Sequence, residues 1–419
     1  MPPSWPDVSR AVRHGRAGSV DLLARLIAET SVRGNPTRID ELLQAELRAV
    51  GLQVETFHAN LAQLADHPEF SPPVVVADGP PANLFARRSG DRGRSLLLFA
   101  HIDTEPVGEL TRWTVPPFGA VTRGTRMYGL GAADDKAGVV SIVAAVKALG
   151  EAGIELPGEV NVLLVHGKQG GALGTLPGMS FVHAVGSAIY SHPAESGAGL
   201  DQIKVASRGI FSFQVEVEGR TPEPTEIRTP ASADPRSGVN AIDLGVRIRE
   251  AIKDWESAGA SRGVVVSVNA FNAGENPLEV PDRCVLKGTV WFDRGTVREH
   301  ADGLGEVIAS QRGAELWLRD RPPRFDLIGV RANPARADPG SSLVDLVSQI
   351  VASEHGRTPQ AYAWHAASDI RFPILCHGMP AVGIGALGGN FYGPDEWVDL
   401  ESVHTATTVL ARLILRLAG

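Results

Sequence analysis

Residues 95–106 read SLLLFAHIDTEP: an unbroken apolar run passes directly into a polar turn carrying a histidine and two acids. A run of this kind, closed by a turn, predicts a β-strand covered on both faces. His101 and Asp103 stand two apart, so on an extended segment their side chains share one side. The carboxylate can then hold the imidazole in the tautomer that a metal requires. In open α/β sheets, ligands gather at such C-terminal strand ends.

Working outward, amphipathic stretches at 19–30 and 38–50 predict helices before this strand. The runs at 160–165 (VNVLLV), 188–190 and 381–384 predict further buried strands, and 136–149 (KAGVVSIVAAVKAL) has helical spacing. The alternation predicts an α/β domain built on a mixed sheet, with crossover connections and helices on both faces. From Ile210 the rhythm changes. A strand (IFSFQVEVE), a helix at 239–255, strands at 264–270 and 283–293, a helix at 297–311 and a strand at 314–318 follow in order. That βαββαβ order predicts a ferredoxin-like insertion. Helices at 342–355 and 400–417 resume the first pattern. The expected division is therefore 1–206 with 322–419 as one domain, and 207–321 as the insertion.

A chain of 419 residues exceeds the roughly 250–300 at which one core stops growing, which agrees with two domains. Hydrophobic residues at 43% and charged residues at 21% exclude a disordered or fibrous chain. The net charge of −8, with no basic cluster, argues against nucleic acid and anionic membranes as partners. No apolar run approaches the roughly 18 residues of a membrane span, and the N-terminus lacks the apolar core of a secretory signal. Only Cys284 and Cys376 occur, without the spacing of a disulfide framework or zinc ribbon, so a reducing cytoplasm is the expected location.

The stretch after the first strand, TRWTVPPFGAVTRGTRMYGLGAADDKAGV, adds WxxxPF and YGxGxxDDK to the initial HxD. This order resembles the signature of the metal-dependent peptidase and deacylase family of glutamate carboxypeptidase, acetylornithine deacetylase, succinyl-diaminopimelate desuccinylase and carnosine dipeptidase. The resemblance implies a catalytic domain with an inserted lid or dimerisation domain, hence a homodimer. It also implies a two-metal site sharing Asp134 as a bridge, with His101 as a ligand, Asp103 orienting it, and Asp135 and Lys136 as structural neighbours.

Several family positions are altered. Where the resemblance implies a Glu–Glu pair supplying the general base and a ligand of the second metal, this chain has Lys168 and Gln169. A lysine is protonated at neutral pH unless strongly desolvated, so it is no default base. The next implied ligand is an acid before proline; His192 stands there, and imidazole is an equally good donor. The last implied ligand, a His before GPDE, is Tyr392, whose neutral phenol is the ordinary state. Glu223 falls near the implied oxyanion donor of the insertion, where an acid would repel an oxyanion. Arg371, in AASDIR, matches an arginine that binds the substrate carboxylate, a role suited to its bidentate fork.

What survives is one divalent cation, Mn2+ or Zn2+, on His101, Asp134 and His192, with Lys168, Asp103 and Tyr392 as catalytic groups. Arg371 and Glu223 are the substrate-side residues. The apparatus lost serves attack on an unactivated amide; the part kept suits water activated by a metal, attacking an electrophilic carbon in a small anionic substrate. In this the chain resembles a family branch that exchanges the amino group of 5-nitroanthranilate for hydroxyl, which implies the same reaction here. An ordinary amidase, dipeptidase or N-acyl amino acid deacylase, and a catalytically silent binding homologue, remain as alternatives.

Overall fold

The structure, a computed structural model, describes residues 4–32, 38–71, 79–90, 95–168, 171–182, 186–222, 238–338 and 340–419. The chain divides into two compact units, Met1–Ser207 with Ala335–Gly419, and Arg208–Pro334.

In chain order, the first unit contributes helices α1 (Trp5–His14), α2 (Arg16–Ala28) and α3 (Ile39–Ala49). Strands β1 (Gln53–His58), β2 (Ala82–Arg88) and β3 (Ser95–His101) come next, then α4 (Ala137–Glu151), β4 (Val160–Val165), β5 (Gly186–Ser191) and β6 (Gln202–Lys204). The second unit contributes β7 (Gly209–Glu218), α5 (Ala241–Ala258), β8 (Val265–Ala273), β9 (Arg283–Phe292), α6 (Val297–Ala314) and β10 (Arg324–Ala332). The first unit then resumes with α7 (Ser342–His355), β11 (Gln360–Tyr362), α8 (Arg371–His377), β12 (Ala381–Ile384) and α9 (Leu400–Leu417).

Among the described residues, the first unit is organised on an eight-stranded sheet of order β1-β2-β4-β3-β5-β12-β6-β11. The central β4, β3, β5 and β12 run parallel, while β1, β2 and β6 join antiparallel, so the sheet is mixed. Strand β3 explains the layering. Leu96, Leu98 and Ala100 pack into the core that holds Val139 and Val143 of α4 and Leu410 and Leu413 of α9. Leu97 and Phe99 enter the opposite core with Phe85, Leu163, Tyr190 and Phe372. Each fully buried leucine of this strand contributes about 1.5–3 kcal/mol, which is why its sequence is apolar without alternation. His101, His166 and His192 lie at or just beyond the C-terminal ends of β3, β4 and β5.

The second unit has the four-stranded antiparallel order β8-β9-β7-β10, with α5 and α6 packed on it, the ferredoxin-like arrangement. Phe211, Phe213, Val215 and Val217 of β7 alternate into its core. The last strand differs from expectation. Residues 314–318 close α6 and open a short helix, Trp317–Asp320, that buries Leu318; the fourth strand is β10, which carries the unit on to Pro334. β10 lies at the sheet edge and is mostly exposed, so it lacks the apolar pattern that marks an inner strand. The strands expected at 160–165 and 381–384 and the helices at 342–355 and 400–417 have those bounds in the structure. Glu223 and Gln169 lie outside the described residues.

Candidate metal centre

His101 closes β3, and His192 follows β5 directly. Asp134 sits in the turn Ala132–Lys136 that enters α4 and contains the cis Asp134–Asp135 peptide bond. Gly138 makes this convergence possible. A Cβ there would stand 1.7 Å from the Ser191 carbonyl oxygen and 2.4 Å from Asp135 Oδ1, so only glycine lets the start of α4 approach the end of β5.

All three side chains are buried. His101 Nε2 lies 2.6 Å from Asp134 Oδ1, and His192 Nε2 lies 3.2 Å from Asp134 Oδ2. Despite these approaches, among the described residues both nitrogens and both carboxylate oxygens lack a well-formed hydrogen bond, and the ligating atoms of the three residues lie within 4.8 Å of one another. Unpaired buried donors are costly unless something else satisfies them. Two imidazoles and a carboxylate with converging lone pairs fit a divalent transition metal or zinc.

The neighbours prepare this geometry. His101 Nδ1 lies 3.0 Å from the backbone carbonyl of Asp103, which accepts its proton and leaves Nε2 free to ligate. The Asp103 carboxylate, expected to do this, stands farther off at 3.4 Å. Asp135 accepts the backbone N–H of His101 at 3.2 Å, and Lys136 donates to the Glu29 carbonyl at 3.1 Å. Glu396 accepts backbone N–H groups of Gly131, Ala133 and Asp134, each at 2.9 Å, and so carries the turn. Burial disfavours a charged His101, but Asp134 and Asp103 outweigh it and raise it to about 10. Burial and then the Lys204 charge lower His192 to about 4. Burial pushes Asp134 upward, yet the charges of His192, Lys168 and His101 hold it well below the usual carboxylate range.

Lys168 follows β4 and stands near Asp134. Burial lowers its pKa, but Asp134, Asp369, Glu195 and Asp103 together raise it above the ordinary lysine value, so it is a cation at neutral pH. Its Nζ lies 5.6 Å from the ring centroid of Tyr392. Tyr392 is 37% exposed and has a positive φ of 63°. Burial of its hydroxyl and the Asp134 charge keep it a neutral phenol, its pKa well above the usual value. Arg371, by contrast, turns inward. Its Nε lies 3.3 Å from Glu69, its Nη1 lies 3.3 Å from Asp369, and Nη1 donates to the Ala367 carbonyl at 2.6 Å. These contacts engage Nε and Nη1 of the guanidinium.

A second group of buried polar residues escaped the sequence reading. Lys204, at the end of β6, reaches His192, Glu195 and His365. Glu195 was visible three residues after His192, and Lys204 as a lone cation in the apolar stretch IKVA. His365 had no local signal. Glu396 lay in the GPDE motif that marked Tyr392, and its role as an acceptor needed the turn brought against it.

Comparison with known proteins accords with this arrangement. Residues 97–416, well over half of the chain, match the model of peptidase family M20/M25/M40. The chain is 29% identical over 385 residues to a succinyl-diaminopimelate desuccinylase of Gluconobacter oxydans, covering 89% of this chain and 91% of that protein. In fold it is similar to aminopeptidase PepT of Bacillus cereus (TM-score 0.71, 17% identity, 95% of this chain and 98% of that one). It is also similar to a dinuclear metal-binding peptidase of Bacillus subtilis (TM-score 0.65, 16% identity, 97% and 99%). On the match across both halves of the first unit and the whole of the second, the chain belongs to the metal-dependent peptidase family M20/M25/M40.

Proposed function

We propose that this family member hydrolyses a C–N bond in a small anionic substrate, using one divalent cation, Mn2+ or Zn2+, on His101, Asp134 and His192. The observation that carries the reading is the convergence of a buried three-residue metal-type donor set, with a cation, Lys168, beside it. A cation held by the set supplies Lewis acidity that lowers the pKa of water.

The chain's own residues set the limits of the reaction. Asp103, through its carbonyl, keeps His101 oriented. Lys168, held protonated by the acids around it, is no ready base for water, which favours a carbon that is already electron-poor. Its charge serves instead to hold the substrate anion or the negative charge that builds during attack. Tyr392, a neutral phenol near Asp134, can donate a hydrogen bond to the same region. Arg371 is the candidate for the substrate carboxylate, with Nε and Nη1 held by Glu69 and Asp369.

Hydrolytic deamination of an activated aromatic amine fits these limits, with 5-nitroanthranilate as the best single candidate. Water oxygen bonds to the ring carbon, the carbon–nitrogen bond breaks, the amino group leaves as ammonia with a proton from water, and the ring keeps a hydroxyl. The nitro group withdraws the charge that an oxyanion donor would otherwise stabilise. A second reading, N-acyl amino acid or dipeptide hydrolysis, draws support from the similarity to desuccinylases.

The test offers metal-loaded protein 5-nitroanthranilate, the same ring without its carboxylate, and a panel of dipeptides and N-acyl amino acids. Ammonia from the first, little from the second and no amide cleavage is the expected result. Efficient amide cleavage without ammonia supports the second reading. A protein that holds metal and turns over none of them is a binding homologue.

A further inference from the structure

At the end of the parallel strands opposite the metal centre, the first unit holds a cavity of about 340 Å3. Val146 and Leu149 of α4, Leu156, Val160 at the start of β4 and Ile414 of α9 form its apolar walls, and all five are buried. Arg88, the last residue of β2, supplies its polar wall. The cavity borders the C-terminal end of α4, whose N-terminal end follows the turn of Asp134. Roughly 20 Å of helix therefore separates it from the metal donor set.

Arg88 is half-buried, and its Nη1 and Nη2 each lie 3.4 Å from a single acceptor, the Ile154 carbonyl. Both bonds are long, and one oxygen shared by two donors leaves most of the guanidinium's N–H groups uncommitted. Glu155, the only other ionisable side chain lining the cavity among the described residues, is exposed and forms no ion pair with it. The Leu149 and Gly150 carbonyls at the end of α4 are taken by the N–H groups of Ile154 and Gly153, so they do not compete for the arginine. Gly150 keeps the cavity open. It lies in the last turn of α4 with ordinary helical backbone, and a Cβ there would meet nothing within 4 Å. Gly153, by contrast, has a φ of 68° and ends the helix. Neither a turn nor crowding demands glycine at 150, where it weakens the helix. A side chain at that position would enter the cavity.

We propose that this cavity is a binding site for a small carboxylate carried on an apolar ring, with the ring against Leu149, Val160 and Ile414 and the carboxylate on the Arg88 fork. A guanidinium matches a carboxylate in bidentate geometry. Apolar walls with one convergent charged group are the usual make-up of a small-molecule site, and the volume suits a single-ring ligand. A polyanion would bring more negative charge against these walls than one arginine balances, and a neutral ring would leave the fork on its one distant acceptor. The site is separate from the metal centre and does not depend on the reaction proposed for it.

The experiment follows 4-fluorobenzoate by 19F NMR on the full, Zn2+-loaded chain and on His101→Ala. Wild type is expected to bind it with a Kd below about 1 mM, and the binding should persist in His101→Ala. 4-Fluorobenzamide, which keeps the shape without the charge, should bind at least about tenfold more weakly, the scale of one hydrogen bond to a charged group. Arg88→Met should lose the same factor for the acid and leave the amide unchanged. Gly150→Leu, which suits a helix better than glycine, should keep or raise the melting temperature and abolish binding of the acid. The proposal is overturned if 4-fluorobenzoate does not bind, or if His101→Ala removes the binding and so assigns it to the metal centre. Equal affinity for acid and amide, or unaltered binding of the acid in Arg88→Met or Gly150→Leu, also overturns it. The comparison of acid with amide needs no variant at the cavity, so it decides the matter even where Gly150→Leu fails to fold.

Discussion

Glu396 accepts the backbone N–H of Asp134 at 2.9 Å, so one buried carboxylate holds in place the turn that presents another. Burial, and then the negative charge of Asp134, raise Glu396 to about 8.

Glu396→Gln replaces one accepting oxygen by a donating NH2 opposite the N–H of Gly131, Ala133 or Asp134. A buried N–H left without an acceptor costs about 1–3 kcal/mol. Thermal unfolding should record that loss, and chelator competition should show weaker metal retention in the same protein.

Elemental analysis should find one divalent metal per chain, removed by His101→Ala or His192→Ala. Asp103→Asn should be mild, at the lower end of the roughly 10 to 100-fold range for outer-sphere changes, because the group at 3.0 Å from His101 Nδ1 is the backbone carbonyl. Two tightly held equivalents in fully active wild type would refute the single-metal assignment.

Lys168→Glu with Gln169→Glu recreates the acidic pair of the family. If Lys168 supplies positive charge to the reaction, activity on the native substrate should fall by about two orders of magnitude, the usual loss for one such donor. An unchanged rate would remove Lys168 from the mechanism.

Arg371→Met should destabilise the first unit by about 3–5 kcal/mol, the cost of stranding buried charges, here Glu69 and Asp369. Thermal unfolding at neutral pH measures this. A variant of wild-type stability with a raised KM would instead restore the guanidinium to a direct role at the substrate.

In the second unit, His300 is buried, and its Nε2 lies 2.8 Å from the Arg294 carbonyl. Among the described residues its Nδ1 has no hydrogen-bond partner. Burial is the largest influence and lowers its pKa, Arg262 adding to the effect against the Arg294 bond and Glu299. A base with a depressed folded pKa binds fewer protons folded than unfolded, so its contribution is complete above the ordinary value of about 6.5 and is lost as pH falls from there toward the folded pKa. Unfolding of this unit should become easier as pH drops below about 6.5. His300→Gln should flatten that acid limb, and an unaltered limb would dismiss the assignment.

The sequence by itself determined the parts whose physics is local. β3 is apolar on both faces because both faces are covered, and His101 and Asp103 stand at its end by chain order alone. The βαββαβ order was legible as far as β9 and α6, since Phe211, Phe213, Val215 and Val217 alternate and Thr296 with Glu299 caps the helix. It failed at β10, where an exposed edge strand is held by backbone bonds to β7 and leaves no apolar period to read. His101, Asp134 and His192 were legible because each closes a strand or opens a helix within a recognisable motif. Only the tertiary structure decided what surrounds them. His192, Lys204 and His365 stand at the ends of β5 and β6 and after β11, up to 173 residues apart in numbering, and meet because the sheet order places those strands together. The same holds for Arg371. Its pairing with Glu69 depends on where a distant acid packs, and no local pattern carries that information.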